Sequence, residues 1–120
     1  MLLMAQLSAE AAYQLQRAER RLRERELRRT RLRQGAAAAA RLLREEFGAT
    51  RVLLFGSLLR GWFHEASDVD LACEGIAGAR LAEAQDRLIE LIGEPVDLVA
   101  LEEAEAGLRQ RILASGEPLS

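Results

Sequence analysis

Three aspartates in this chain stand where aspartate is uncommon. Asp68 and Asp70 open an apolar run that ends at Cys73, and Asp97 lies inside a second run over residues 95–101. Aspartate is normally depleted in such strand-like segments, so its presence there calls for a chemical reason. Because successive side chains of a strand alternate between its faces, we expect Asp68 and Asp70 to project from the same face. Neighbouring carboxylates repel each other, and a bound cation offsets that repulsion.

A Gly-Ser pair precedes the paired acids. Gly56-Ser57 follows the apolar residues 52–55, which predict a buried strand that leads into a turn and a short helix. Glycine lets a backbone approach a phosphate closely, and free N–H groups at a helix start can donate to it together with the Ser57 hydroxyl. Phosphate donors beside carboxylates are the parts that nucleotidyl transfer with two divalent ions requires. Mg²⁺ prefers oxygen ligands, and the predicted metal-binding and catalytic residues are Asp68, Asp70 and Asp97.

The rest of the sequence predicts the elements that position these residues. Apolar positions at helical spacing alternate with short apolar runs, and Gly48 and Gly93 stand where helices should end. This order predicts a small α/β (α+β) domain, in which helices pack on a small mixed β-sheet. The predicted elements are helices over 5–34 and 36–47, a strand over 51–55, a short helix from 57, a strand over 68–73, a helix over 77–92, a strand over 96–101 and a helix over 102–114.

The first 35 residues form a separate region in this prediction. Strong helix formers dominate residues 5–34, and Gly35 is expected to interrupt the helix. The apolar stripe of this helix is narrow, and its members are Leu7, Ala11, Leu15, Ala18 and Leu22. We therefore predict an Arg/Glu-rich helix over 1–35 that contacts another chain, with a homo-oligomer as one candidate assembly, and a catalytic domain over 36–120.

Composition sets further bounds. A chain of 120 residues has room for one modest core, and no apolar run approaches the ~20 residues that a membrane span needs. The first residues lack a basic lead-in, so no signal peptide is expected, and the single Cys73 suits a reducing cytoplasm as a small buried hydrophobe. Residues 51–120 carry six Arg against thirteen acidic residues. An acidic half favours divalent cations over direct binding of nucleic acid.

These motifs resemble a known pattern. Gly-Ser, ten residues, Asp-x-Asp and a distant strand aspartate are similar to the nucleotidyltransferase superfamily typified by DNA polymerase beta. The match is closer to the minimal nucleotidyltransferase (MNT) proteins that bacteria encode beside HEPN-domain partners. It extends over about residues 36–118, with its main motifs at 54–57, 67–72 and 96–99. The resemblance implies a polymerase beta-like fold, Mg²⁺ and ATP. It also implies that Ser57 binds the nucleotide phosphates and that Asp68, Asp70 and Asp97 bind metal.

Several residues near these motifs leave two interpretations open. Arg60 could clamp a phosphate, as part of a nucleotide-binding set with Gly56 and Ser57, or form a structural ion pair. Trp62 and Phe63 could cover a base or a partner, or fill the gap between helix and sheet. His64, the only histidine, is expected to be an exposed loop residue because no second ligand stands at zinc spacing. The arginines of residues 17–33 could contact RNA or an acidic partner, but interspersed Glu favours a solvated or interchain helix.

The resemblance implies an acceptor as well as a donor. A chain of this size leaves no room for a further acceptor-binding domain, so another macromolecule is expected to present the acceptor. By resemblance this is a HEPN-domain ribonuclease toxin, whose tyrosine hydroxyl would receive AMP from ATP, and the chain would be its cytoplasmic antitoxin. Two alternatives remain at this point. One is an interaction module that neutralises its partner by contact alone. The other is a nucleotide-binding sensor that dimerises through the N-terminal helix.

Overall fold

The computed structural model describes residues 8–60 and 68–120, with only the backbone described at Arg60. The predictions for Leu7, Trp62, Phe63, His64 and the side chain of Arg60 lie outside the described residues. Within the described ranges, no helix is both long and apolar enough to cross a membrane.

One long helix opens the fold. Helix α1 (Ala9–Phe47) begins at Ser8, whose hydroxyl accepts a 3.1 Å hydrogen bond from the Ala11 N–H, and it ends at Gly48, which adopts φ +77°. The prediction of two helices divided at Gly35 is wrong. A Cβ at Gly35 would come within 3.3 Å of the Ile92 side chain, so the glycine allows close packing between α1 and the helix that carries Ile92. That packing outweighs a propensity cost of about 1 kcal/mol.

The other elements follow the predicted order with small changes. They are β1 (Arg51–Phe55), α2 (Ser57–Arg60), β2 (Val69–Glu74), α3 (Leu81–Ile92), β3 (Val96–Ala100), α4 (Ala106–Ser115) and β4 (Glu117–Pro118). Short 3₁₀ turns at Gly78–Arg80 and Leu101–Glu103 lead toward α3 and α4. Strand β4 was not predicted, and α4 starts four residues later than expected because the 3₁₀ turn occupies the start of the predicted helix.

The four strands form one mixed sheet in the order β3-β2-β1-β4. Strand β1 is antiparallel to both β2 and β4, whereas β2 and β3 are parallel and are joined through α3. This mixed sheet with packed helices confirms the predicted α+β class.

The two faces of the sheet are covered by different helices. On one face α1 and α3 cover the larger core, in which the β2 residues Val69, Leu71 and Cys73 are all fully buried. The complete burial of Cys73 confirms its expected role as a small hydrophobe. On the other face α4 covers a smaller cluster that includes Leu53 and Ala72. The end of this second face beyond α4 is where the acidic residues lie.

Helix α1 belongs to the domain only from residue 28 onward. Arg28 forms a 3.3 Å ion pair with Glu94, and Arg29 donates hydrogen bonds to the carbonyl oxygens of Leu58 and Leu59. Leu32 is buried in the larger core, so the expectation that all of 5–34 contacts another chain is wrong for its last turns. We call residues 9–27 the arm. Apart from two partly buried alanines near its start, its residues are exposed.

Candidate active site

Strand pairing brings two of the three predicted acids together. Asp70 of β2 is paired in register with Asp97 of the parallel strand β3, and with Phe55 of the antiparallel strand β1. Residues paired in register share a face of the sheet. Ala72 and Val99, two positions further along the same strands, belong to the smaller cluster under α4. Asp70 and Asp97 therefore stand on the α4 face, just beyond its apolar cluster.

Asp68 lies immediately before β2. The strand begins at Val69 rather than at Asp68, and the Val69 N–H donates a 3.1 Å hydrogen bond to the carbonyl oxygen of Pro95. Asp68 and Asp97 are exposed, while Asp70 is partly buried between them. Asp70 is therefore the most enclosed of the three acidic side chains.

Gly56 is fitted to Asp70. It follows β1, adopts φ +81°, and lies so close to Asp70 that a Cβ added to it would overlap Oδ2 of that carboxylate and approach its Cγ to 3.1 Å. A left-handed φ strains any other residue, and the space for a side chain is already taken. Glycine at this position therefore allows the left-handed turn and leaves space for the Asp70 carboxylate.

Ser57 is the first residue of α2 and is partly buried. Because α2 has only four residues, it offers a few free N–H groups but little of the dipole that a longer helix would supply. The predicted phosphate contacts are therefore local: the backbone after Gly56 and the Ser57 hydroxyl. Both lie at the same end of the sheet as Asp70, since Asp70 is paired with Phe55, the last residue of β1.

The acids influence one another electrostatically. Burial, then the Asp97 carboxylate and then the Asp68 carboxylate raise the pKa of Asp70 from 3.8 to about 6. A carboxyl group that is hard to ionise because of its like-charged neighbours is one whose ionised form a cation would stabilise. Asp68 and Asp97, which the sequence pattern singled out, thus contribute to the negative potential at Asp70.

The same residues fit a divalent cation by chemistry, although they do not enclose one as they stand. Within the ranges 8–60 and 68–120, no three Asp, Glu, His or Cys side chains are close enough together to ligate one ion. Asp68 and Asp97 are exposed, so their side chains can turn toward Asp70 without disturbing the core. Carboxylate oxygens are the ligands that Mg²⁺ prefers. The assignment of the three acids as metal ligands stays a prediction.

Sequence reasoning missed one residue that supports the site. Gln85 of α3 accepts a 2.9 Å hydrogen bond at Oε1 from the backbone N–H of Leu98. Strand β3 is at the edge of the sheet, so its outward N–H groups lack a strand partner. The amide of Gln85 satisfies one of them directly after Asp97. A glutamine in a helix gives no signal of such a role, because only the packing of α3 beside β3 creates it.

A second concavity lies at the opposite end of the sheet. It encloses about 350 Å³ between the start of β1, the end of β2 and α4. Its polar groups already have partners: Arg51 pairs with Glu74 at 2.9 Å, and Arg109 donates a 2.8 Å hydrogen bond to the carbonyl oxygen of Leu101. This end of the sheet is therefore held by internal contacts, and the candidate site is the other end, where Asp68, Asp70 and Asp97 form no ion pair with another described residue.

Comparison with known proteins agrees with this geometry. Residues 39–120 match the family model described as polymerase beta, nucleotidyltransferase. Protein adenylyltransferase MntA of Thermococcus cleftensis (strain DSM 27260 / KACC 17922 / CL1) is 36% identical over 74 residues, which cover 59% of this chain and 75% of that protein.

Two solved structures share the fold. One is described as a candidate minimal nucleotidyltransferase, with 33% identity, a TM-score of 0.64 and coverage of 73% of this chain and 92% of that one. The other is a toxin-antitoxin structure with AMP-PNP, with 29% identity, a TM-score of 0.62 and coverage of 68% of each chain. The family match spans more than half of the chain and begins well after the arm. The chain therefore belongs to the polymerase beta-like nucleotidyltransferase family, in its minimal nucleotidyltransferase branch.

Proposed function

We propose that this nucleotidyltransferase moves AMP from ATP to a tyrosine hydroxyl of a HEPN-domain toxin and thereby acts as its cytoplasmic antitoxin. The observation that carries the proposal is the pairing of Asp70 with Asp97 beside the Gly56 turn. It sets carboxylates directly against a glycine turn that leads into the helix start at Ser57. The relative named as a protein adenylyltransferase and the toxin-antitoxin structure with AMP-PNP support the reaction and the biological setting.

In the proposed reaction, the acceptor oxygen attacks the α-phosphorus of ATP. A new phosphorus–oxygen bond forms, the bond between the α-phosphorus and the bridging oxygen breaks, and pyrophosphate leaves. The hydroxyl proton passes to an exposed carboxylate of the site, which releases it to water. Asp70, held by β2 and by contact with Gly56, fixes the geometry around which Asp68 and Asp97 close.

Two Mg²⁺ ions held by Asp68, Asp70 and Asp97 would neutralise the phosphates and lower the pKa of the acceptor hydroxyl. The Ser57 hydroxyl and the N–H groups that follow Gly56 would orient the phosphate chain. Arg60 remains a candidate phosphate ligand, since it ends the helix that Ser57 begins.

Transfer of AMP to a purified partner tests this proposal. The chain is incubated with Mg²⁺, ATP and a purified HEPN-domain toxin, and the mass of the toxin is measured by mass spectrometry. We expect the partner to gain the mass of AMP on tyrosine, and EDTA or the change Asp70→Asn to abolish the gain. The matched control is Asp86→Asn, which alters an exposed aspartate on α3 away from the site.

Each alternative predicts a different result. If the partner's ribonuclease activity is neutralised to the same extent by the wild type and Asp70→Asn, without any mass gain, the chain is a contact inhibitor and the proposal is wrong. If AMP appears on the partner but on no tyrosine, the reaction stands and the acceptor assignment fails. Equal loss of transfer in Asp70→Asn and Asp86→Asn would show that the effect is not specific to the site.

A further inference from the structure

The arm carries an apolar stripe that no described part of the chain covers. Leu15 is 37% exposed and Leu22 is 58% exposed. Ala11, one turn before Leu15, and Ala18, between the two leucines, lie on the same face of the helix. The spacing of four, three and four residues is that of a helix that packs against another helix or into a groove.

This stripe continues the face by which α1 packs on its own domain. Ala40 and Phe47 are buried against the sheet, and they lie 18 and 25 residues beyond Leu22. Successive residues of an α-helix are rotated by about 100° around its axis. The side chains of Ala40 and Phe47 therefore point within about 20° of the direction of the Leu22 side chain. A single face of α1 is therefore buried over its second half and bare over the arm.

The arm leaves the domain at the end where the candidate site lies. Helix α1 connects to β1 through Gly48–Thr50 and runs back along it, so the N-terminal direction of α1 is the direction in which β1 reaches Gly56. Arg29 marks the exit point through its hydrogen bonds to the carbonyl oxygens of Leu58 and Leu59, just after Ser57. The nineteen residues of the arm extend about 28 Å beyond that point.

A second copy of this chain fits the stripe poorly in either orientation. In a parallel pair related by a two-fold axis, the two stripes would face each other. Because each domain packs on the same face of its helix as the stripe, the two domains would then overlap at the axis. In an antiparallel pair, equivalent flanks of the two helices meet. One flank of the stripe carries Arg21 and Arg25, so like charges would oppose each other along that side, whereas the other flank carries Glu19 and Glu26 with Arg23 beside them.

The charge and the stripe of the arm together favour a protein partner over RNA. The arm carries five Arg and four Glu, a net charge of +1, and the arginines that follow it, Arg28, Arg29, Arg31 and Arg33, contact the chain's own domain. A protein with an apolar helical surface, acidic where it meets Arg21 and Arg25, would match the stripe and its basic flank. RNA would meet four glutamates and would leave Leu15 and Leu22 without a hydrophobic contact.

We infer that the arm is the docking surface for the acceptor protein, which it holds at the open end of the sheet beside Gly56 and Asp70. The identity of that protein rests on the proposed function. The docking surface itself rests on the stripe, its continuity with the buried face and its position at the site end of the sheet.

Paired substitutions on opposite sides of the arm test this inference in the full-length chain. Leu15→Gln with Leu22→Gln removes the stripe. The matched control is Tyr13→Gln with Leu27→Gln, which removes two exposed apolar side chains, 57% and 70% exposed, from the far side of the same helix. Binding of the HEPN-domain toxin used in the transfer assay and of Mg-ATP is measured for each variant by calorimetry.

We expect the stripe variant to raise the Kd for the protein partner at least tenfold and to raise the KM for it in AMP transfer, with kcat and ATP binding unchanged. The control should stay within twofold of the wild type in every measurement. Arg21→Gln with Arg25→Gln should weaken partner binding most strongly at low salt.

The outcomes separate the two proposals. Partner binding that depends on the stripe without AMP transfer would refute the proposed function and keep the docking surface. AMP transfer with an unchanged Kd and KM in the stripe variant would refute the docking surface and keep the function. A dimeric wild type that the stripe variant makes monomeric would assign the face to a second copy. RNA binding that requires the arginines and ignores the leucines would assign it to nucleic acid. Either of these last two results would overturn the inference.

Discussion

The two faces of β2 have different roles. Val69, Leu71 and Cys73 point into the core under α1 and α3 and are fully buried. Asp70, between them in sequence, points to the opposite face, where burial and then the Asp97 and Asp68 carboxylates raise its pKa to about 6. One face therefore stabilises the fold, and the other concentrates negative charge at a cost to stability. Substitutions on the two faces should change stability in opposite directions.

The largest stability effect is expected on the buried face. Leu71→Ala removes a fully buried side chain from the larger core and should lower the free energy of unfolding by about 2–5 kcal/mol. Leu113→Ala, at a position that is 41% exposed, is the control and should cost less than about 1 kcal/mol. Urea unfolding measures both. Equal losses would contradict the described packing of β2.

Gly56→Ala should damage both stability and transfer. The left-handed φ costs about 1–3 kcal/mol in a residue with a Cβ, and that atom would displace the Asp70 carboxylate. Gly48→Ala is the control, because Gly48 adopts φ +77° with open space around it, far from the acids. We expect both variants to lose stability and only Gly56→Ala to lose AMP transfer. Normal transfer in Gly56→Ala would rule out the close fit between Gly56 and Asp70.

Ser57→Ala should weaken transfer without affecting the fold. The loss of one hydrogen bond to a charged phosphate corresponds to about 1.5–3 kcal/mol. Ser115→Ala, which removes an exposed hydroxyl that donates to the carbonyl oxygen of Arg111, should leave transfer unchanged. Steady-state kinetics with varied ATP gives both values. Identical kcat/KM for ATP in the two variants would remove Ser57 from the phosphate site.

Asp70→Asn should stabilise the metal-free protein in a pH-dependent way. The pKa of Asp70 is raised in the folded state, so its charge destabilises the fold above about pH 6, and the penalty disappears as the pH falls toward 3.8 and the carboxyl becomes protonated in both states. Allowing for solvent screening, we expect a gain of about 1 kcal/mol at pH 8 that vanishes near pH 4. Melting curves in EDTA measure it, and a gain that is independent of pH would contradict the electrostatic cause.

The sequence predicted the parts of this molecule that depend on local pattern. The bounds of β1 and the start of α2 at Ser57 agree with the structure, because an apolar run and a Gly-Ser turn are local signals. The in-register pairing of Asp70 and Asp97 was not predictable, since it depends on the order in which strands assemble.

The features that the sequence did not predict all depend on tertiary contacts. Gly35 looked like a break, yet contact with Ile92 makes it part of a continuous helix. Strand β4 is two residues long and includes Pro118, so only its pairing with β1 reveals it. The three acids stood out as candidates because strand aspartates are rare, whereas Gln85 was missed because a helical glutamine is common.

If the charged face of β2 binds a metal ion, the melting temperature of the protein will depend on that ion. Wild type, Asp70→Asn and Asp86→Asn are melted at pH 8 in EDTA and then with increasing Mg²⁺ or Mn²⁺. We expect the ion to raise the melting temperature of the wild type and of Asp86→Asn, because it offsets the repulsion among Asp68, Asp70 and Asp97, and to leave Asp70→Asn nearly unchanged. Equal shifts in all three proteins would contradict the claim.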